Sequence, residues 1–134
     1  MATAKQLEEL EVWQLGRDLR DLVVESVERY GAEMNQDFRD DLLRSARSVP
    51  ANTAEGFGFF EERQFAKYLR IARASAMETK NHLLECRSMF PEADLQRIFE
   101  LARRTMAAIA SLIRYLEESA QRKNTARKSR PGGA

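Results

Sequence analysis

Residues that interrupt or crosslink a chain are scarce in this sequence. It contains three prolines, six glycines and one cysteine, Cys86. Because proline and glycine mark most turns, their scarcity favours long uninterrupted helices. A lone cysteine cannot form an intramolecular disulfide, which fits a protein of the reducing cytoplasm.

Long apolar runs are missing as well. No stretch of about 18 or more apolar residues occurs, so no membrane-spanning helix is expected. The N-terminus also lacks the basic start and apolar segment of a secretory signal. The chain has 134 residues, 43% of them hydrophobic, which suits one domain with one packed core.

Residues able to support catalysis or metal binding are few. The single histidine, His82, follows Glu78 by four residues, not by the three seen in di-metal helix bundles. Neither Cys86 nor Ser75 has a histidine spaced to form a nucleophilic triad. The sequence also lacks a glycine-rich phosphate loop with its lysine. It therefore predicts a protein that is not an enzyme and holds no metal or cofactor.

The net charge of +1 conceals a strong asymmetry along the chain. Residues 1–62 carry 7 basic and 14 acidic side chains, a net charge of −7, whereas residues 63–134 carry 15 and 7, a net charge of +8. Such a division indicates that charge acts between helices, between subunits or toward a partner. Two explanations of this asymmetry remain. The acidic and basic helices pair within one chain, or the basic half forms a surface that binds a partner.

Apolar side chains recur at helical spacing in four segments. These are 5–30, 37 to 56 or 58, 61–90 and 91–116, with Asp37 as the N-cap of the second segment. Matched lengths and short connections predict an all-α fold, an antiparallel up-down four-helix bundle over residues 1–118. Residues 119–134, which are basic and lack large apolar side chains, are predicted to form a disordered tail.

The second segment contains a proline and two glycines within residues 47–58. Its hydrophobic spacing passes through Pro50 without a change of phase, although proline has no N–H to donate within a helix. One interpretation is a new helix that is capped by Asn52. The favoured interpretation is a single helix, bent at Pro50, that ends at Gly56 or Gly58.

Polar side chains of this joint are expected to hold the bend. Ser48 and Asn52 lie where they can bond to the backbone groups that the proline releases. Glu55 is expected to accept hydrogen bonds from the backbone, from Arg44 or from Arg47. The joint is therefore assigned a structural role and not a catalytic one.

The sequence of the joint and the helix after it resembles a bacterial protein family. These are four-helix-bundle proteins encoded in 23S ribosomal RNA intervening sequences, together with the accessory variability determinants of diversity-generating retroelements. The matching residues are Ser48, Val49, Pro50, Asn52, Ala54, Glu55 and Gly56, then Phe65, Leu69, Ala72, Ser75 and Glu78. Thr53 and Ala74 depart from the family's isoleucine and glycine. The resemblance covers most of residues 7–116.

The resemblance implies a bundle that assembles into a homopentamer and has no catalytic residues. In the retroelement branch it also implies a reverse transcriptase and nucleic acid, RNA or DNA, as partners of a basic surface. No membrane association is expected.

Basic residues along the third segment are the candidate nucleic-acid contacts. The spacing of Arg63, Lys67, Arg70 and Arg73 places these four within a broad stripe of one helix, and Lys80 and Arg87 extend its positive character. Phosphate binding requires clustered cations without a strict motif. We define the basic stripe as Arg63, Lys67, Arg70, Arg73, Lys80 and Arg87. A competing use is pairing with the acidic first helix of a neighbouring subunit, through Glu8, Glu11, Asp18, Asp21, Glu25 and Glu28.

Three phenylalanines, Phe57, Phe59 and Phe60, lie close together at the connection between the second and third segments. So many aromatic side chains are hard to bury in one small bundle, and they are predicted to contact another subunit or partner. The leading hypothesis is an oligomeric scaffold whose basic surface binds nucleic acid or a nucleic-acid enzyme. The alternative is a structural or adaptor module without nucleic-acid affinity.

Overall fold

Four α-helices account for most of residues 4–131, the part of the chain that the computed structural model describes. They are α1, Glu11–Tyr30; α2, Gln36–Phe57; α3, Glu62–Glu85; and α4, Glu92–Lys128. Short 3-10 helices precede α1, at Leu7–Glu9, and join α3 to α4, at Arg87–Met89. No strand occurs in this range, which confirms the all-α prediction. None of its helices has both the length and the apolar character to cross a membrane.

The helices form a ring in which each packs against the next, and α4 returns to α1. This packing confirms the four-helix bundle. Contacts between α2 and α3 occur in opposite sequence order, Ser45 with Thr79 and Ser48 with Ser75, so these two helices run in opposite directions. The antiparallel arrangement of the other pairs stays a prediction.

The apolar core has two parts along the bundle. The larger part draws on all four helices and includes the fully buried Leu19, Val23, Leu42, Val49, Leu83 and Leu95. The smaller part joins the start of α1 to α3 and the second half of α4, through Val12, Leu69, Ile109, Leu112 and Leu116. Removal of these side chains from water is the main stabilising contribution to the fold.

A seam of hydroxyl groups joins α2 to α3. The hydroxyls of Ser45 and Thr79 are 2.9 Å apart, and those of Ser48 and Ser75 are 2.8 Å apart. The Thr79 hydroxyl also donates to the Ser75 carbonyl, and that of Ser45 to the Leu42 carbonyl. The buried polar groups are therefore satisfied, and their small side chains allow the two helices to approach closely.

Helix α2 continues through Pro50 without a break. The interpretation in which Asn52 caps a new helix is therefore wrong. Asn52 instead donates to the carbonyl oxygen of Ser48 at 2.9 Å and to its hydroxyl at 2.7 Å. Because Pro50 has no N–H, the carbonyl that loses its helical donor is that of Ala46. Asn52 therefore bonds to the carbonyl of Ser48, two residues later, and not to the one that the proline releases. The bend itself stays a prediction.

Several predicted helix ends move in the structure. The N-cap of α2 is Asn35, not Asp37, because the Asn35 side chain accepts bonds from the backbone N–H groups of Asp37 and Phe38. Helix α1 begins at Glu11, because Leu10 is extended. Helix α3 ends at Glu85, and the 3-10 turn after it places Phe90 in the core.

The predicted disordered tail is largely helical, which corrects that prediction for residues 119–128. Helix α4 continues to Lys128. Alanine, glutamine, lysine and arginine, which favour helices, fill most of this stretch, and basic side chains near a helix C-terminus interact well with its dipole. The division of the chain at residue 118 stays a prediction, and residues 132–134 lie outside the described range.

Gly56 is packed tightly against Phe65 and Tyr68 of α3. A Cβ atom at this position would lie 2.9 Å from Cδ1 of Phe65 and from Cβ of Tyr68, and 3.1 Å from the Phe65 carbonyl oxygen. Two of these neighbours are a backbone atom and a Cβ, which cannot move without shifting α3. The glycine is therefore required by packing.

Gly56→Ala is expected to lower the free energy of unfolding by about 1–3 kcal/mol, because it overpacks the contact between α2 and α3. Gly58→Ala is the matched control. Its Cβ would meet only carbonyl oxygens at 3.4 and 3.8 Å, and its φ of −70° suits alanine. The control should be neutral or stabilising by up to about 1 kcal/mol. Urea denaturation measures both, and equal effects would contradict the packing role of Gly56.

Candidate nucleic-acid interface

The basic stripe follows α3 and the turn after it. Arg63, Lys67, Arg70 and Arg73 are exposed on the helix, Lys80 is half-buried, and Arg87 is exposed in the 3-10 turn. The six residues therefore have different degrees of exposure, and they also have different neighbours.

The second half of the basic stripe is engaged by α4. The Lys80 ammonium lies 5.7 Å from the centre of the Phe99 ring, and the Arg87 guanidinium lies 5.9 Å from it, within the range of cation–π attraction. Arg87 also pairs with Glu92. The hydrogen bonds between them raise the pKa of Arg87 and lower the pKa of Glu92. These two cations have partners within the chain.

The first half of the basic stripe is freer. Arg70 pairs with Glu117 of α4, and both side chains are about half exposed, so solvent weakens this pair. Within residues 4–131, no carboxylate lies within ion-pair distance of Arg63, Lys67 or Arg73. The Lys67 ammonium lies 5.8 Å from the centre of the Tyr68 ring. The unpaired charge is therefore concentrated toward the start of α3.

Apolar side chains interrupt the basic stripe, a feature that the charge pattern did not predict. Ile71, Met77 and Leu84 are 41%, 53% and 44% exposed. Met77 also lines a shallow depression between α3 and α4 with Arg70, Arg73, Ala74 and Met106. The signal was available in the sequence as large apolar residues at positions outside the core spacing of α3.

An open cleft of about 320 Å³ lies where the end of α4 passes the start of α3. Its lining residues are Phe60, Glu61, Glu62, Arg63, Ala120, Lys123, Asn124 and Arg127. We call it the end cleft. Sequence reasoning missed the contributions of Lys123 and Arg127, because these residues were assigned to a disordered tail.

Glu62 ties the two walls of the end cleft together. Its carboxylate accepts from the Lys123 ammonium at 2.9 Å, and its side chain is only 20% exposed. The Ser119 hydroxyl, followed by the Lys123 ammonium, favours the charged carboxylate and so lowers the pKa of Glu62. The interaction joins the first turn of α3 to α4 and holds the basic end of α4 in place.

The three phenylalanines at the α2–α3 connection have different environments. Phe57 packs into the smaller part of the core, with its ring centre 6.1 Å from that of Phe65. Phe59 stacks on Tyr68 at 5.4 Å and remains 40% exposed. Phe60 is fully exposed at the mouth of the end cleft. Only Phe59 and Phe60 therefore offer aromatic surface, and their contact with another subunit stays a prediction.

Glu55 does not make the bonds that were expected of it. Its side chain is exposed, and within the described residues no hydrogen bond or ion pair joins it to Arg44 or Arg47. Arg44 instead pairs with Asp41. The expected bonds fail because exposed side chains on one helix pair with their local neighbours.

Cys86 and His82 lie together near the end of α3 without forming a reactive pair. The Cys86 thiol donates to the His82 carbonyl oxygen at 3.3 Å, and burial raises the pKa of the thiol, which keeps it protonated at neutral pH. Nε2 of His82 lies 3.8 Å from a carboxylate oxygen of Glu78. In residues 4–131, no three histidine, cysteine, aspartate or glutamate side chains gather as a metal site requires.

Glu62→Gln is expected to destabilise the protein at neutral pH. Since the pKa of Glu62 is lowered by folding, its carboxylate stabilises the fold above its unfolded pKa, and this contribution is lost as pH falls through the folded pKa. The difference between wild type and variant should therefore shrink in acid. Urea denaturation across a pH series measures it, with the exposed Glu61→Gln as control. A difference that is constant down to acid pH would contradict the role of the carboxylate.

The family model for the 23S rRNA-intervening sequence protein matches residues 8–111. No match to an individual curated protein was found. The matched range contains α1, α2 with the joint at Pro50, α3 and about the first half of α4. The chain belongs to the 23S rRNA-intervening sequence protein family.

Proposed function

We propose that this protein is a non-enzymatic scaffold that binds nucleic acid through the first half of the basic stripe and the end of α4. The observation that carries the proposal is the set of cations Arg63, Lys67 and Arg73, which are exposed and have no carboxylate partner in the described chain. The basic end of α4 adds Lys123 and Arg127 beside Arg63.

Phosphate binding fits this arrangement of charge. Clustered Lys and Arg side chains displace the counterions of a nucleic acid, and this supplies affinity without a sequence motif. The acidic residues of α1 do not neutralise these cations. Helices α1 and α3 both pack against α2 and α4, so they lie opposite each other in the ring.

A protein partner is the second candidate, favoured by the exposed Ile71, Met77 and Leu84 on α3. Apolar side chains on a helix surface are a common feature of protein interfaces. In this alternative the protein is an adaptor, and the basic stripe contacts a partner protein or the acidic α1 of another copy. The homopentamer and the reverse transcriptase partner stay predictions of the resemblance.

The triple variant Arg63→Glu, Lys67→Glu, Arg73→Glu tests the proposal. It should weaken binding of fluorescently labelled RNA and DNA by about tenfold or more, and reduce the salt dependence of the affinity, because fewer counterions are released. Fluorescence anisotropy over a salt series gives both quantities for wild type and variant.

The matched control is Lys5→Glu, Arg44→Glu, Arg47→Glu, which makes the same change of net charge at exposed positions outside α3 and α4. Equal losses in the two triple variants would show a nonspecific charge effect and contradict the assigned surface. Absence of binding by the wild type at low salt, or affinity that does not change with salt, would favour the adaptor.

A further inference from the structure

The end cleft combines features that the basic stripe alone does not have. Phe60 exposes its whole ring at the mouth of the cleft. Arg63 approaches from α3, and Lys123 and Arg127 approach from α4. The end cleft therefore combines a fully exposed aromatic ring with cations from two helices.

We infer that the end cleft binds a single-stranded nucleic acid, with one base stacked on Phe60 and the neighbouring phosphates held by its cations. Proteins that bind single strands combine these two elements, because every base has a flat face and every linkage has a charge. The inference rests on the nucleic-acid binding proposed above, and it adds the form of the strand and the position of a base.

The surroundings of Phe60 favour a base over an apolar protein side chain. Besides Phe60, the only apolar residue in the lining is Ala120. A protein contact centred on a phenylalanine would need an apolar surround to exclude water. A base needs one exposed ring and polar groups around its edges, and Asn124 and the cations supply the polar groups.

The two carboxylates in the end cleft do not reverse its charge. Glu62 is paired with the Lys123 ammonium at 2.9 Å, so its charge is offset within the cleft. Glu61, the N-cap residue of α3, lies where the positive end of the helix dipole offsets its charge. Arg63 and Arg127 have no carboxylate within ion-pair distance in the described range, and the chain carries no acidic residue after Glu118.

A duplex cannot use this site in the same way. Its bases are stacked on each other and paired, so none is free to lie on Phe60 without a cost in unpairing and unstacking. The cations can still contact its phosphates. Wild type is therefore expected to bind a single strand more tightly than a duplex of the same length.

Phe60→Ala and Phe60→Leu in the full chain test the inference. Stacking of a base on an aromatic ring stabilises complexes with single strands, so both variants should bind a fluorescent single-stranded oligouridine or oligothymidine about tenfold more weakly. Binding of a duplex should change little. Phe60→Trp keeps the ring and should retain the single-strand affinity, whereas Phe60→Leu keeps only the apolar volume.

Phe59→Ala is the control for loss of a neighbouring aromatic, since Phe59 already stacks on Tyr68. Light scattering on each variant reports whether the assembly has changed. Full single-strand affinity in Phe60→Leu, or a change of mass in Phe60→Ala, would overturn the inference, the latter by making Phe60 a subunit contact. Equal binding of single strand and duplex that still requires Arg63, Lys67 and Arg73 would leave the proposed function standing and remove this inference alone.

Discussion

The close contact between α2 and α3 is the constraint on which the rest of the structure depends. Gly56 brings the end of α2 against Phe65 and Tyr68, and pairs of hydroxyls continue the contact along both helices. Larger side chains at these positions would separate the helices and rotate α3. The orientation of α3 in turn decides which of its residues face the core and which carry charge on the surface.

Much of the fold could be predicted from periodicity, because burial of one helix face imposes a spacing that the sequence must show. Continuity through Pro50 followed from the unbroken spacing of Ala46, Val49 and Thr53, all of which are buried. Helix ends were less predictable, since they depend on local bonds. Asn35 and not Asp37 is the N-cap of α2, because the Asn35 side chain accepts hydrogen bonds from two backbone N–H groups.

The candidate site was only partly predictable. The side of α3 that carries the basic stripe follows from spacing, but the pairing of Arg70 with Glu117 and the contact of Arg87 with Phe99 depend on where α4 lies. The end cleft depends on the helical state of residues 119–128. Composition alone indicates a solvated tail there, whereas in the structure the ion pair between Lys123 and Glu62 joins this stretch to α3.

Helix α4, with 37 residues, is much longer than its neighbours, which have 20 to 24. Its last turns rest on little apolar surface, so their order depends on helix–coil equilibrium and on the tie at Lys123. A ligand that contacts Arg127 and Arg63 together would add a second tie. Affinity at this end of the bundle would then be coupled to helix propensity, so substitutions that never touch a ligand, such as glycine for Ala126, could weaken its binding through fraying alone.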